Sequence, residues 1–84
     1  MTRIKIVKRI IDTKMKCSGD IDEKTGTIKI NPRKGNVLNT VIHENLHSSH
    51  WEKPEKWIYK KAKEMEKKTS IKKAIKLLKP YVGR

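Results

Sequence analysis

Phenylalanine is missing from this sequence, aromatic residues make up only 5% of it, and one cysteine, Cys17, stands alone. A lone cysteine excludes an internal disulfide framework. The scarcity of aromatics bears on the two tryptophans: with no aromatic cluster beside them, Trp51 and Trp57 are expected as core anchors for helix packing, not as platforms on which bases stack. Acidic residues are few as well, 9 against 22 lysines and arginines, giving a formal net charge of +13. No stretch is long or apolar enough to span a membrane or serve as a secretory signal, so no membrane partner is expected. The expected setting is reducing and cytoplasmic. With 84 residues the chain makes one domain, close to the size at which a hydrophobic core alone gives marginal stability, and a bound metal would help hold it.

The positive charge favours polyanions such as nucleic acid, or acidic protein surfaces. Most lysines fall in the second half, from Lys53 through Lys60, Lys68, Lys72 and Lys76 to Lys79, interleaved with apolar residues at helical spacing. That pattern reads first as a solvated helix face, and second as a non-specific nucleic-acid surface.

Along the chain, the segment from Arg3 to Ile11 carries Ile4, Ile6, Ile10 and Ile11 among basic residues and reads as a first strand. Asp20-Ile21-Asp22 and Thr27-Ile28-Lys29-Ile30 flank a turn containing Gly26, which can take a positive φ, and together predict a β-hairpin. Asp20, Asp22 and Glu23 lack the remaining positions of a calcium loop and are read as turn residues. Pro32 ends the third strand, and its Ile28 to Ile30 edge is a candidate groove for an extended peptide. Asn36 caps a helix running to about His50. Pro54 opens a second helix reaching Lys68, and Ser70 caps a third, from Ile71 to Leu78, stopped by Pro80 with a tail to Arg84. The expected fold is therefore α+β: a short antiparallel sheet of about three strands in the β-rich part (1–35), then an active-site helix and one or two further helices (36–84).

On the first helix lies His43-Glu44-Asn45-Leu46-His47, a His-Glu-x-x-His pattern. Residues i and i+4 project from one face, so His43 and His47 can share a zinc ion, while Glu44 can reach the water on that zinc, take its proton during attack on a carbonyl and return it to the leaving amine. The apolar stripe Val37, Leu38, Val41, Ile42 and Leu46 keeps to another flank from His43, His47 and His50. A catalytic zinc needs a third protein ligand. Glu55, opening the second helix, is favoured over His50, which on an unbroken helix lies ~7 Å further along the axis than the midpoint of the pair and could ligate only if the helix ends by Ser49. Glu52 ranks behind both. Cys17 is expected as a small buried hydrophobe before a ligand, and Asn39 and Thr40 are weighed as partners for the imidazoles' other N–H groups.

The stretch Gly19-Asp20-Ile21-Asp22, Thr27 to Pro32, Leu38 to His47 and Trp51 to Glu55 resembles the small zinc metallopeptidases of bacteriophages, related in outline to SprT-like and other minimal zincins. The resemblance covers roughly Cys17 to Tyr59. It implies a short antiparallel sheet, His43 and His47 as zinc ligands, Glu44 as general base, an acidic residue at the position of Glu55, and, if the chain is phage-encoded, a host cytoplasm. SprT-like relatives act on proteins attached to DNA, which implies a protein substrate near nucleic acid. The chain departs from the pattern at Asn45, at Pro54 and in its lysine-heavy tail. The expected function is thus a zinc-dependent metallopeptidase with a protein or peptide substrate. Its rival is a basic nucleic-acid-binding or regulatory module whose zinc site is structural or vestigial.

Overall fold

Three short strands precede three helices in the computed structural model, which describes residues 3–82: β1 (Lys8–Ile11), β2 (Gly19–Asp22), β3 (Thr27–Ile30), α1 (Val37–Ser49), α2 (Glu55–Lys68) and α3 (Ile71–Val82). Met1, Thr2 and the expected tail residues Gly83 and Arg84 lie outside the described residues. The chain is α+β, as its pattern predicts. Among the described residues no helix is long and apolar enough to cross a membrane.

The sheet is mixed, not antiparallel. Its order is β1-β3-β2, with β1 parallel and β2 antiparallel to β3. The register explains why. Ile11, the last residue of β1, and Gly19, the first of β2, both pair with Ile30, so the chain leaves and re-enters the sheet at one end. It then turns at the other end and brings β3 back between them. Asn31, 1% exposed, holds the crossing segment: its Nδ2 donates to the Met15 carbonyl at 2.7 Å and lies 3.4 Å from that of Thr13. The turn forms as predicted, with Asp22 Oδ1 accepting from the Lys24 N–H at 3.0 Å and Gly26 at φ 68°.

Two expectations fall with this topology. Of the segment 3–11 only Lys8–Ile11 is strand, while Ile4 N–H donates to the Ser48 carbonyl at the far end of α1. And Ile28 to Ile30 offers no free edge, because β3 is the central strand and both isoleucines are buried. The edges belong to β1 and β2, and it is β2 that borders α1 on the side of the histidines. Asn31 N–H bonds the Ser18 carbonyl, so by the antiparallel alternation Asp20 and Asp22 direct their main-chain groups at β3, and Gly19 and Ile21 direct theirs outward.

α1 starts at Asn36, whose side chain accepts from the Asn39 N–H. Two faces of α1 are then buried against different partners. Val41 packs on Ile28, Ile30 and Tyr81, while Ile42 and Leu46 pack on Ile58 and Ala62 of α2. α3 continues past Pro80, contrary to the expected stop, and buries Tyr81 to 3% exposure. A proline in the last turn forfeits one backbone bond, and burying a tyrosine ring in the first cluster outweighs that loss.

At the opposite end of α2 from Glu55, the Glu66 carboxylate accepts from Asn36 Nδ2 at 2.9 Å and Asn39 Nδ2 at 3.0 Å. One side chain thereby ties the start of α1 to the end of α2. Glu66→Ala is expected to lower the unfolding free energy by about 1–2 kcal/mol, since both lost bonds are charge-assisted but one is exposed and the other only part-buried. Urea titration of the two proteins measures this.

Candidate metal centre

Packing of α1 on two sides leaves a third flank facing a hollow beside β2, and His43, Glu44 and His47 occupy it. The 3.6-residue period brings the two imidazoles into one column, with Nε2 atoms 3.2 Å apart and side chains 18% and 19% exposed. After His50 ends the helix, the turn through Pro54 reverses the chain, so the first residue of α2, Glu55, comes back over them. Glu55 Oε1 is 2.6 Å from His43 Nε2, and Oε2 is 2.8 Å from His47 Nε2.

Donors bound tetrahedrally at zinc–nitrogen distances of about 2.0–2.1 Å sit roughly 3.3 Å apart. The imidazole pair already has that separation. The carboxylate lies closer than that to both rings, at hydrogen-bonding distance, and opening those contacts by about half an ångström would reach ligating geometry. The three form the group among the described residues whose ligand atoms converge, within 4.8 Å of one another. Two histidines and a glutamate are a donor set of catalytic zinc sites, which leave a coordination position open. The residues fit zinc.

Glu44 stands beside these donors in the hollow and is only 6% exposed. Burial, reinforced by the neighbouring charges of Asp20 and Glu55, pushes its carboxyl up from 4.5 to about 7. Gly19 makes the close approach feasible: a Cβ there would stand 2.7 Å from Glu44 Oε2 and 2.9 Å from Thr40 Cγ2. Any side chain at this position would displace the carboxylate or part β2 from α1.

Other candidates lie elsewhere. His50 caps α1 and turns its ring to Trp57, centroids 5.2 Å apart, because the helix ends before it can point with His47. Glu52 is exposed and outside the converging group. Cys17 is exposed, not a buried hydrophobe, and its Sγ sits 3.4 Å from the Gly19 carbonyl. Thr40 Oγ1 donates to the Asn36 carbonyl and Asn39 to Glu66, so neither orients an imidazole. Trp57 packs against the Ile42 cluster as expected, but Trp51 does not join the core. It is 38% exposed at the rim of the hollow.

A scan against family models, a search of curated proteins and a search of solved structures each return no match. The assignment therefore stands on residues and geometry. Gly19 is not singled out by sequence, and Asp20, expected as a turn residue, lies in β2 beside the hollow. For Gly19 a signal exists, since glycine inside a strand marks close approach of another element. For Asp20 there is none, because only the strand register carries it to the hollow.

The raised carboxyl has a measurable consequence in the metal-free protein. Ionising a group at about 7 in the fold and 4.5 in the unfolded chain opposes folding fully above pH 7, and the penalty disappears as pH falls toward 4.5. It amounts to about 3 kcal/mol at most. In chelator, Glu44→Gln should thus be more stable than wild type at about pH 8, and the gap should shrink to roughly a quarter of that by about pH 5. Urea titrations of both proteins at the two pH values test it, and a gap independent of pH would contradict it.

Proposed function

We propose that this protein is a zinc-dependent metallopeptidase. The observation that carries the reading is the convergence of His43, His47 and Glu55 in a hollow also lined by Glu44 and by the unpaired edge of β2. Zinc held by the three donors would supply a Lewis acid that polarises a carbonyl and acidifies water. The remaining work falls to the chain. Glu44, buried beside the donors, accepts a proton from the attacking water and delivers it to the departing amine nitrogen. A C–O and an N–H bond form as an O–H and the amide C–N bond break. The N–H groups of Gly19 and Ile21 and the Ile21 C=O are directed outward, which suits an extended polypeptide added as a further strand.

The rival reading, a basic nucleic-acid-binding or regulatory module with a structural zinc, is favoured by the charge of +13 alone. It makes no use of a buried carboxylate beside the donors, whose ionisation only costs stability.

Zinc titration and digestion of unfolded casein separate the two. Wild type is expected to bind about one zinc per chain and to cleave. Glu44→Gln should keep the metal and lose about 10²–10⁴-fold in rate. Glu55→Ala should weaken zinc binding by at least roughly 100-fold, and His50→Ala should leave it within about twofold. Equal cleavage by wild type and Glu44→Gln removes the proposed base. Salt-dependent DNA or RNA binding that survives Glu44→Gln, with no cleavage by the zinc-loaded wild type, would assign the rival.

A further inference from the structure

The hollow in front of the donors has two halves, which share Gly19, His43, Glu44 and Glu55 and differ in their other walls. The half toward the end of α1, about 270 Å³, is walled by Ile21 and Trp51. The half toward the start of α1, about 290 Å³, is walled by Ser18, Asn39, Thr40 and Tyr59. The first adds two apolar side chains, Ile21 and Trp51, to the polar donors, and the second adds hydroxyl and amide groups.

Trp51 calls for a reason. In a chain with two tryptophans and no phenylalanine, leaving one indole 38% exposed forgoes part of the burial that a large apolar ring would otherwise supply to a small core. The ring stands edge-on to that of His47, centroids 6.5 Å apart, so this apolar wall begins directly beside a metal donor. Ile21, half-buried on β2, lines the same half.

The open edge of β2 fixes what could enter. A strand added there would bond to the main chain of Gly19 and Ile21, and every second side chain would face α1 and hence the hollow. The volume lies just below the roughly 300–1,000 Å³ of pockets that enclose a whole drug-sized ligand, which suits one large side chain of a longer chain. Asp20 borders this half and opposes an acidic side chain.

We infer that the space between Ile21 and Trp51 is a subsite that selects a large apolar side chain of an unfolded polypeptide beside the cleaved bond, with Trp51 as the specificity-determining residue. This rests on the peptidase reading. The test is to map by mass spectrometry where zinc-loaded protein cuts unfolded casein, for wild type, Trp51→Ala and Trp51→Phe, with zinc content checked for each. Wild type should cut preferentially at bonds with a large apolar residue on one fixed side and disfavour acidic residues there. Trp51→Ala should reduce that preference on the order of tenfold or more, and Trp51→Phe should retain it. Cuts by wild type without such a preference, or an unchanged preference in Trp51→Ala, overturn the subsite and leave the peptidase reading intact. Absence of any cleavage by the zinc-loaded wild type overturns both.

Discussion

α1 is gripped on two sides at once, and the rest of the molecule follows from that grip. Val41 fits the sheet through Ile28 and Ile30, while Ile42 and Leu46 fit α2 through Ile58 and Ala62. At 3.6 residues per turn, two buried faces leave one free flank, and its direction is fixed by the packing of the other two. His43, Glu44 and His47 occupy that flank. Their placement is thus held by apolar contacts that contain none of the chemistry. Glu66, bonding Asn36 and Asn39 at the far end, fixes how α2 lies along α1, and with it where Glu55 arrives.

Periodic features were the ones legible beforehand. The i, i+4 histidines, the apolar positions of α1, the hairpin turn at Gly26 and the caps at Asn36 and Ser70 are all set by residues close in sequence, and the structure has them. Glu55 was favoured over His50 by the helix rise, by a turn able to fold its carboxylate back and by the resemblance, and it is Glu55 that the chain reversal at Pro54 brings to the imidazoles. What escaped depends on contacts between distant segments. The parallel pairing of β1 follows from the short crossing tied by Asn31, and local pattern carries no mark of it. Pro80 looked like a helix stop because the buried surface available to Tyr81 lies on strands some fifty residues earlier. Trp51 looked like core because indoles usually are, and only the turn after His50 turns it outward.

The charge distribution sets this site apart from its surroundings. In a chain of net charge +13, Asp20, Glu44 and Glu55 share one hollow, and for Glu44 burial adds to their repulsion. Such an arrangement opposes folding, and the chain has little to spare: the buried apolar residues form two clusters of four each. Stabilising alternatives are chemically simple, glutamine at 44 among them. A destabilising buried acid next to three convergent donors is the pattern expected when a side chain serves a reaction at the expense of stability.

The same economy bears on the metal. His43 and His47 belong to the second half of α1, and Glu55 is the first residue of α2, so an ion bound by all three would cross-link two helices joined by the turn through Pro54. Glu66 already joins the opposite ends of this pair through neutral amide donors. One end of the helix pair therefore depends on hydrogen bonds within the chain, and the other on a carboxylate that, without a cation, has only two imidazoles to meet. Binding energy at that end would add to folding energy, because the unfolded chain has no such site. A cation there would serve two purposes in a chain this small: it would provide the Lewis acid, and it would offset the stability lost by keeping Glu44 buried and Trp51 exposed.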